Sequence, residues 1–246
     1  MFEYKAPENL LQDRIILVTG AGAGIGRAAA IAYAALGATV VLAGRTLEKL
    51  EQVYDEIEAA GHPQPAIVPL NLESATEHEY QELANTLEQE FGHLDGLLHN
   101  ASLLGLRTPI ESYDPVVWNQ VMQVNVNASF MLTQALIPLL NASQDASIVF
   151  TTSSVGRTGK AYWGAYGVSK FATEGLAQIL AQELENTSNT RVNCINPGAT
   201  RTQMRASAYP AENPGTNPTP EQIMPLYLYL MGPDSKTING QSLDAQ

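Results

Sequence analysis

The sequence predicts an α/β fold, a single domain on a doubly wound parallel sheet of about seven strands with helices on both faces. Three observations predict it. Short β-branched runs alternate with helical patterns from residue 14 to the end of the chain. The runs are almost continuously apolar, as strands covered on both faces must be. A glycine-rich turn separates the first run from the first helix, where a doubly wound sheet places its ligand crevice.

The elements follow in order. Residues 14–18 form a first strand, ended by Thr19 and Gly20, and an Ala-rich helical stretch covers 25–36. A second strand spans 39–43, and an amphipathic helix at 47–60 stops at Gly61. A third strand at 66–70 is followed by a helix at 76–91, ended by Gly92. The fourth strand is 94–98 and the long helical pattern after it runs through 115–140. A fifth strand at 147–151, a helix at 163–184 and a sixth strand at 191–195 come next. A last helix at 220–231 precedes a seventh strand around Ser242. Four prolines fall within 209–220, which reads as a loop over the crevice and not as a domain boundary.

Composition excludes several function classes. Of the 246 residues, 45% are hydrophobic and 15% charged, which supports a sizeable core and argues against disorder. The net charge of −12 disfavours nucleic acid and anionic membranes as partners. It also means that any phosphate site must be built locally, from backbone N–H groups and a few cations. Cys194, the one cysteine, lies in an apolar strand and reads as a buried hydrophobe. No internal disulfide is possible, and no stretch approaches the roughly 20 apolar residues of a spanning helix. The expected setting is cytoplasmic, and no metal site is expected.

Residues 19–26 read Thr-Gly-Ala-Gly-Ala-Gly-Ile-Gly. Gly20 permits the tight turn, Gly24 lets backbone approach a pyrophosphate, and Gly26 lets the helix pack against the strand. Gly22, Ala23 and Ile25 complete a cradle whose helix N-terminus offers free N–H groups to phosphate. The second strand ends at Gly44 and Arg45, where a carboxylate would grip the ribose of NAD. An arginine there suits a 2′-phosphate, so NADP(H) is favoured over NAD(H). The alternative role for Arg45 is to cap the next helix or pair with Glu48. Tyr166 and Lys170 stand four apart in a helix and so share one face. A cation beside a phenol lowers its pKa towards that of a neutral-pH acid/base.

With these motifs in order, the chain resembles the short-chain dehydrogenase/reductase family. Its Thr-Gly-x-x-x-Gly-x-Gly turn and Tyr-x-x-x-Lys pair match that family, and residues 194–198, 204–208 and 223–227 are similar to its YciK-like bacterial oxidoreductases. The resemblance implies a Rossmann-type fold with a mainly cofactor-binding half, 14–110, and a catalytic and substrate half, 111–246. It implies that Ser153, thirteen residues before Tyr166, orients the substrate, and prefers it to Ser154. It implies that Lys170 also holds the nicotinamide ribose. Asn125, preferred to Asn127, would kink the long helix and hold a water behind Lys170. Asn71 and Leu72 would meet the adenine, Asn100 and Ala101 its ribose, and Val124 would border the cofactor. Pro197, Gly198, Thr200 and Thr202 would surround the nicotinamide. Many NADP-preferring relatives carry a second cation in the glycine turn, where this chain has Ala23. His99 is expected to be a packing residue.

Leu103, Val155 and Trp163 are expected to line the substrate pocket with Ser153 and Tyr166, joined by Leu104, Tyr162, Met204 and Tyr209. Such a lining suits an apolar carbonyl compound or secondary alcohol. Three functions remain open at this point: a reductase, an NADP(H)-binding regulatory or scaffold protein without turnover, and a dehydratase or epimerase of the same fold. A homodimer or homotetramer is expected. The family ending usually continues into Gly-Gly, so a dimer through the 115–140 and 163–184 helices is preferred.

Overall fold

The computed structural model describes residues 1–246. Seven parallel strands form one sheet: β1 (Ile15–Thr19), β2 (Thr39–Gly44), β3 (Ala66–Pro69), β4 (Gly96–His99), β5 (Ala146–Thr151), β6 (Thr190–Asn196) and β7 (Ser242–Asp244). Their spatial order is β3-β2-β1-β4-β5-β6-β7. The chain therefore builds outward from β1 to one edge, returns, and builds towards the other from β4. β1 lies between β2 and β4, with Leu17 level with Val41 on one side and Leu97 on the other. The loops after β1 and β4 diverge there and leave a crevice at the carboxyl ends of the strands.

Side-chain alternation explains the two layers. Ile16, Val18, Val40 and Leu42 face α1 (Gly24–Ala35), α2 (Leu47–Ala59) and α8 (Met224–Met231). Leu17, Val41 and Ala43 face α3 (Glu77–Phe91), α5 (Ala128–Ala142) and α6 (Gly164–Leu184). Both faces are apolar because both are covered, which gives the strands their unbroken hydrophobic runs. Burying each of these aliphatic side chains contributes about 1.5–3 kcal/mol before chain entropy is charged against it.

The structure departs from the sequence reading in four places. The helix expected over 115–140 is α4 (Pro115–Met122), a π-helical turn (Gln123–Asn127) and α5. The π turn falls where the Asn125 side chain ties back to the main chain of Leu103, accepting from its N at 2.7 Å and donating to its O at 3.0 Å. The last helix starts at Met224 and not at 220, after a 3-10 turn at Glu221–Ile223. Pro225 has no N–H to give an interior helical bond and fits only the first turn. β4 begins at Gly96, two residues later than expected. An unforeseen short helix, α7 (Gln203–Ala208), precedes the proline-rich loop, with Thr202 Oγ1 accepting from Arg205 N at 3.2 Å as its cap.

Candidate active site

The glycine turn is shaped by backbone demands. Gly20 and Gly24 have φ of +69° and +55°, in the left-handed region that side chains disfavour. Thr19 knots the turn to the loop after β4. Its Oγ1 accepts from Asn100 N at 3.0 Å and Ala101 N at 3.1 Å, and donates to Leu98 O at 3.2 Å. Asn100 Nδ2 donates to Thr19 O at 3.3 Å. The N-cap of α1 is Ala23, whose side chain cannot cap, so the first N–H groups of α1 are free for an anion.

A cavity of about 430 Å³ runs from this turn across the ends of the strands to α7. Gly20, Gly22, Ala23, Gly24, Ile25, Arg45, Asn71 and Leu72 line one arm. Asn100, Ala101 and Val124 line its middle, and Tyr166, Lys170, Pro197, Gly198, Thr200 and Thr202 the other arm. Ser153, Leu103, Leu104, Trp163 and Met204 line the cavity as well. Gly26 does not, because its role is close packing: a Cβ there would stand 2.3 Å from Gly20 O.

Three pocket expectations are corrected. Val155 is buried behind the wall, packed with Trp163, Tyr166 and Ala208, because the turn after Ser153 aims it inward. Tyr162 is 57% exposed, Tyr209 packs at a tilt against Trp163 with 6.1 Å between ring centroids, and neither lines the cavity. Asn125, expected behind Lys170, is buried one layer back from the cavity. Its Nδ2 donates to Ser169 Oγ at 3.0 Å, beside Lys170 in α6.

Tyr166 and Lys170 share a face of α6 and both are buried. Lys170 Nζ donates to Thr151 O at 2.8 Å and stands 5.4 Å from the centre of the Tyr166 ring. Burial pushes the Tyr166 phenol up to about 12, against the pull of a contact with the Ser153 hydroxyl. This reverses the shift expected from a neighbouring ammonium. The lysine is aimed at the Thr151 carbonyl and loses water itself, and burial lowers it to about 8 while Cys194 and Glu174 hold it up. His99 is the packing residue expected: it stacks on Phe150 at 4.7 Å, bonds Thr133 Oγ1 at 2.8 Å, and burial lowers it to about 3.

Arg45 is exposed and enters none of the eight ion pairs of the chain, so the pairing with Glu48 does not form. Sequence reasoning missed several residues of the cavity. Thr46 and Lys49 line it beside Arg45, and Ser102, Thr152 and Arg205 line it further along. Lys49 reads in the sequence only as a lysine of the coming helix, because Arg45 lies ahead of that helix's N-cap, Thr46. No local signal marks Arg205. Its guanidinium meets Glu212 at 2.7 and 2.5 Å and covers Tyr209, whose ring also carries Arg107 at 4.7 Å. Arg107 in turn covers Trp163 at 4.6 Å and donates to Ala208 O. This stack fastens α7 over the mouth of the cavity.

Comparison with known proteins finds a family and full-length relatives. Residues 14–213 match the family described as short chain dehydrogenase. The chain is 56% identical over 243 residues to the uncharacterized oxidoreductase YciK of Escherichia coli (strain K12), covering 99% of this chain and 96% of that one. A short chain dehydrogenase structure from Pseudomonas syringae is 66% identical, with a TM-score of 0.99 and 100% of both chains covered. A crystal structure from Escherichia coli CFT073, complexed with NADPH, is 56% identical with a TM-score of 0.94, over 98% of this chain and 100% of that chain.

Proposed function

The chain belongs to the short-chain dehydrogenase family, and on that premise we propose that it is an NADP(H)-dependent oxidoreductase that interconverts a carbonyl and a secondary alcohol. The observation that carries the reading is Tyr166, Lys170 and Ser153 meeting in one cavity with the glycine cradle. The residues fit the cofactor. The cradle is closed to a Cβ at Gly26, α1 offers uncapped N–H groups, and Arg45 brings a charge with no carboxylate partner. Gly20, Gly22, Ala23, Gly24 and Ile25 would hold the pyrophosphate, and Asn71, Leu72, Asn100, Ala101 and Val124 the adenosine and central segments. Pro197, Gly198, Thr200 and Thr202 would hold the nicotinamide end. Bound NADPH supplies the hydride that the carbonyl carbon receives.

The chain's own residues handle the oxygen. Ser153 donates a hydrogen bond to the carbonyl oxygen and stabilises its developing charge. Tyr166 gives that oxygen its phenolic proton, so the product is a neutral alcohol. A phenol near 12 keeps its proton until the oxygen becomes basic. Lys170 stabilises the phenolate that remains, and its ammonium replaces the proton. Asn125 acts behind α6, through its bond to Ser169 Oγ beside Lys170, where a water would reach the ammonium. Leu103, Leu104, Trp163 and Met204 make the substrate end apolar, so a small apolar carbonyl compound is the substrate class.

The assembly we propose is a homodimer through α5 and α6, extendable to a homotetramer. Val168, Phe171 and Ile179 form a stripe along α6, and Phe130 on α5 adds to it; all are large, apolar and exposed. No helix is long and apolar enough to cross a membrane, and a cytoplasmic setting is consistent with the lone reduced Cys194.

The test is Tyr166→Phe. Turnover of any aldehyde or ketone that the wild type reduces should fall about 10²–10⁴-fold, followed by nicotinamide absorbance. NADPH affinity should stay within about twofold, since the ring remains. Full turnover by the variant would refute the mechanism.

A further inference from the structure

Tyr166, Lys170 and Glu174 recur at four-residue intervals along α6, and all three are buried. The mechanism above uses the first two. A buried carboxylate is costly unless it is paired and hydrogen-bonded, and Glu174 is both. Ser242 Oγ of β7 donates to its Oε1 at 2.7 Å, and Arg157 Nε reaches the same oxygen at 3.4 Å. Arg157 comes from the turn after Ser153. There Gly156 lies so close to α6 that a Cβ on it would stand 2.8 Å from Lys170 Cβ. Arg157 Nη1 also donates to Asp244 at 2.7 Å, so one guanidinium is shared between two carboxylates. The trio keeps a net negative charge.

Helix α6 crosses the last three strands at this place. Lys170 Nζ meets the Thr151 carbonyl at the end of β5, and Glu174 meets Ser242 in β7. Between them, in β6, stands Cys194, level with Ser242 and buried in the layer that α6 covers. Strands two apart in a sheet are separated by roughly 10 Å, so the ammonium and the carboxylate act on each other through buried protein. The remaining titratable groups around Lys170 are uncharged at neutral pH. Burial pushes the Tyr166 phenol up to about 12. It also raises the Cys194 thiol and the Tyr227 phenol, which reaches Thr151 Oγ1 at 3.4 Å. Burial lowers Lys170 to about 8, and of Cys194 and Glu174, which oppose that fall, only Glu174 is an anion at neutral pH.

We infer that Glu174, held by Ser242 and Arg157, is a positioning residue that keeps Lys170 an ammonium behind Tyr166, so that β7 at the end of the chain supports the proton transfer. The inference deepens the reductase reading and rests on it for the use made of the ammonium. The charge coupling itself is independent of turnover.

NMR titration of the lysine side chains of the full chain reads that coupling, with the Lys170 signal assigned by its loss in Lys170→Met. The wild-type midpoint should lie near 8. Glu174→Gln should lower it by about 0.5–1 unit, and Glu174→Asp should restore most of the shift. Arg157→Gln removes a cation from the same cluster and should raise the midpoint, which also tests the coupling if Glu174→Gln does not fold. With an aldehyde or ketone that the wild type reduces, kcat should fall as pH rises through each midpoint, because the ammonium is then lost. The alkaline limb of kcat should therefore move to lower pH in Glu174→Gln and to higher pH in Arg157→Gln. Unmoved midpoints in an active protein, or shifts of the same sign in both variants, would overturn the inference alone. Midpoints that move while the limb of kcat stays in place would overturn the part of Glu174 in proton transfer. A wild type that reduces no carbonyl compound would remove the reductase reading and that part together, and the midpoints would still decide the coupling.

Discussion

Gly26→Ala adds one carbon at the tightest place in the cofactor cradle. The new Cβ would lie 2.3 Å from Gly20 O and 2.5 Å from Asn100 Nδ2. Carbon and oxygen normally approach no closer than roughly 3.3 Å. The shortfall is thus about 1 Å, and the obstacle is main chain that cannot rotate aside. Asn100 cannot yield freely either, because its amide holds Thr19 O. Helix α1 must therefore back away from β1. Such overpacking costs about 1–3 kcal/mol. The better helix propensity of alanine returns at most about 1 kcal/mol. A net loss of about 1–2 kcal/mol lowers Tm by about 2–8 °C for a chain of this size. Displacing the first turn of α1 also pulls its N–H groups from the pyrophosphate, so NADPH affinity should fall about tenfold or more. The control is Gly175→Ala, the same change in α6 with nothing within 4 Å of the new carbon. It should raise Tm by about 1–4 °C through propensity alone and leave NADPH binding unchanged. Thermal melts and NADPH titrations of the two variants decide the matter. A Gly26→Ala protein with wild-type Tm and affinity would refute the packing argument, as would equal losses in both variants.

Two further outcomes follow from the site and the surface. Burial holds Lys170 at about 8 when folded. The unfolded chain titrates near its ordinary value of about 10.4, so between these values it binds a proton that the folded chain has released. Unfolding free energy should therefore rise with pH from about 8 to about 10, and denaturant midpoints of Lys170→Met should lack that rise. Phe171→Glu places a charge in the exposed apolar stripe of α6. If the stripe is the dimer contact, light scattering should report a monomer whose Tyr166 chemistry is intact, and an unchanged mass would exclude that face.

Much of the molecule was legible in the chain itself. The alternation of apolar runs with helical periods determined the parallel sheet, because strands covered on both faces cannot afford polar residues. Thr19 to Gly26 announced the cradle, since only glycine tolerates the left-handed turn at Gly20 and the helix contact at Gly26. Tyr166 and Lys170 declared themselves by helical spacing, and Ser153, thirteen residues before Tyr166, was implied by the family resemblance. These are local relations, carried by neighbours in sequence.

What only the tertiary structure decided involves contacts between distant segments. The family resemblance implied a break in the helix at Asn125, but its π-turn form and the bond of the Asn125 side chain to Leu103 come from the tertiary structure. Val155 turned out to be wall and not lining, through its packing against Trp163 and Ala208. The direction of the Tyr166 shift depended on how deeply the phenol is buried and on where Lys170 points. Lys49 was visible only as a helix lysine until the fold laid it on Gly22, 27 positions earlier in the chain. Periodicity fixes which side of an element is apolar. It does not fix what another element brings to that side, and in this protein the pocket wall and the phosphate end of the cradle are built from such meetings.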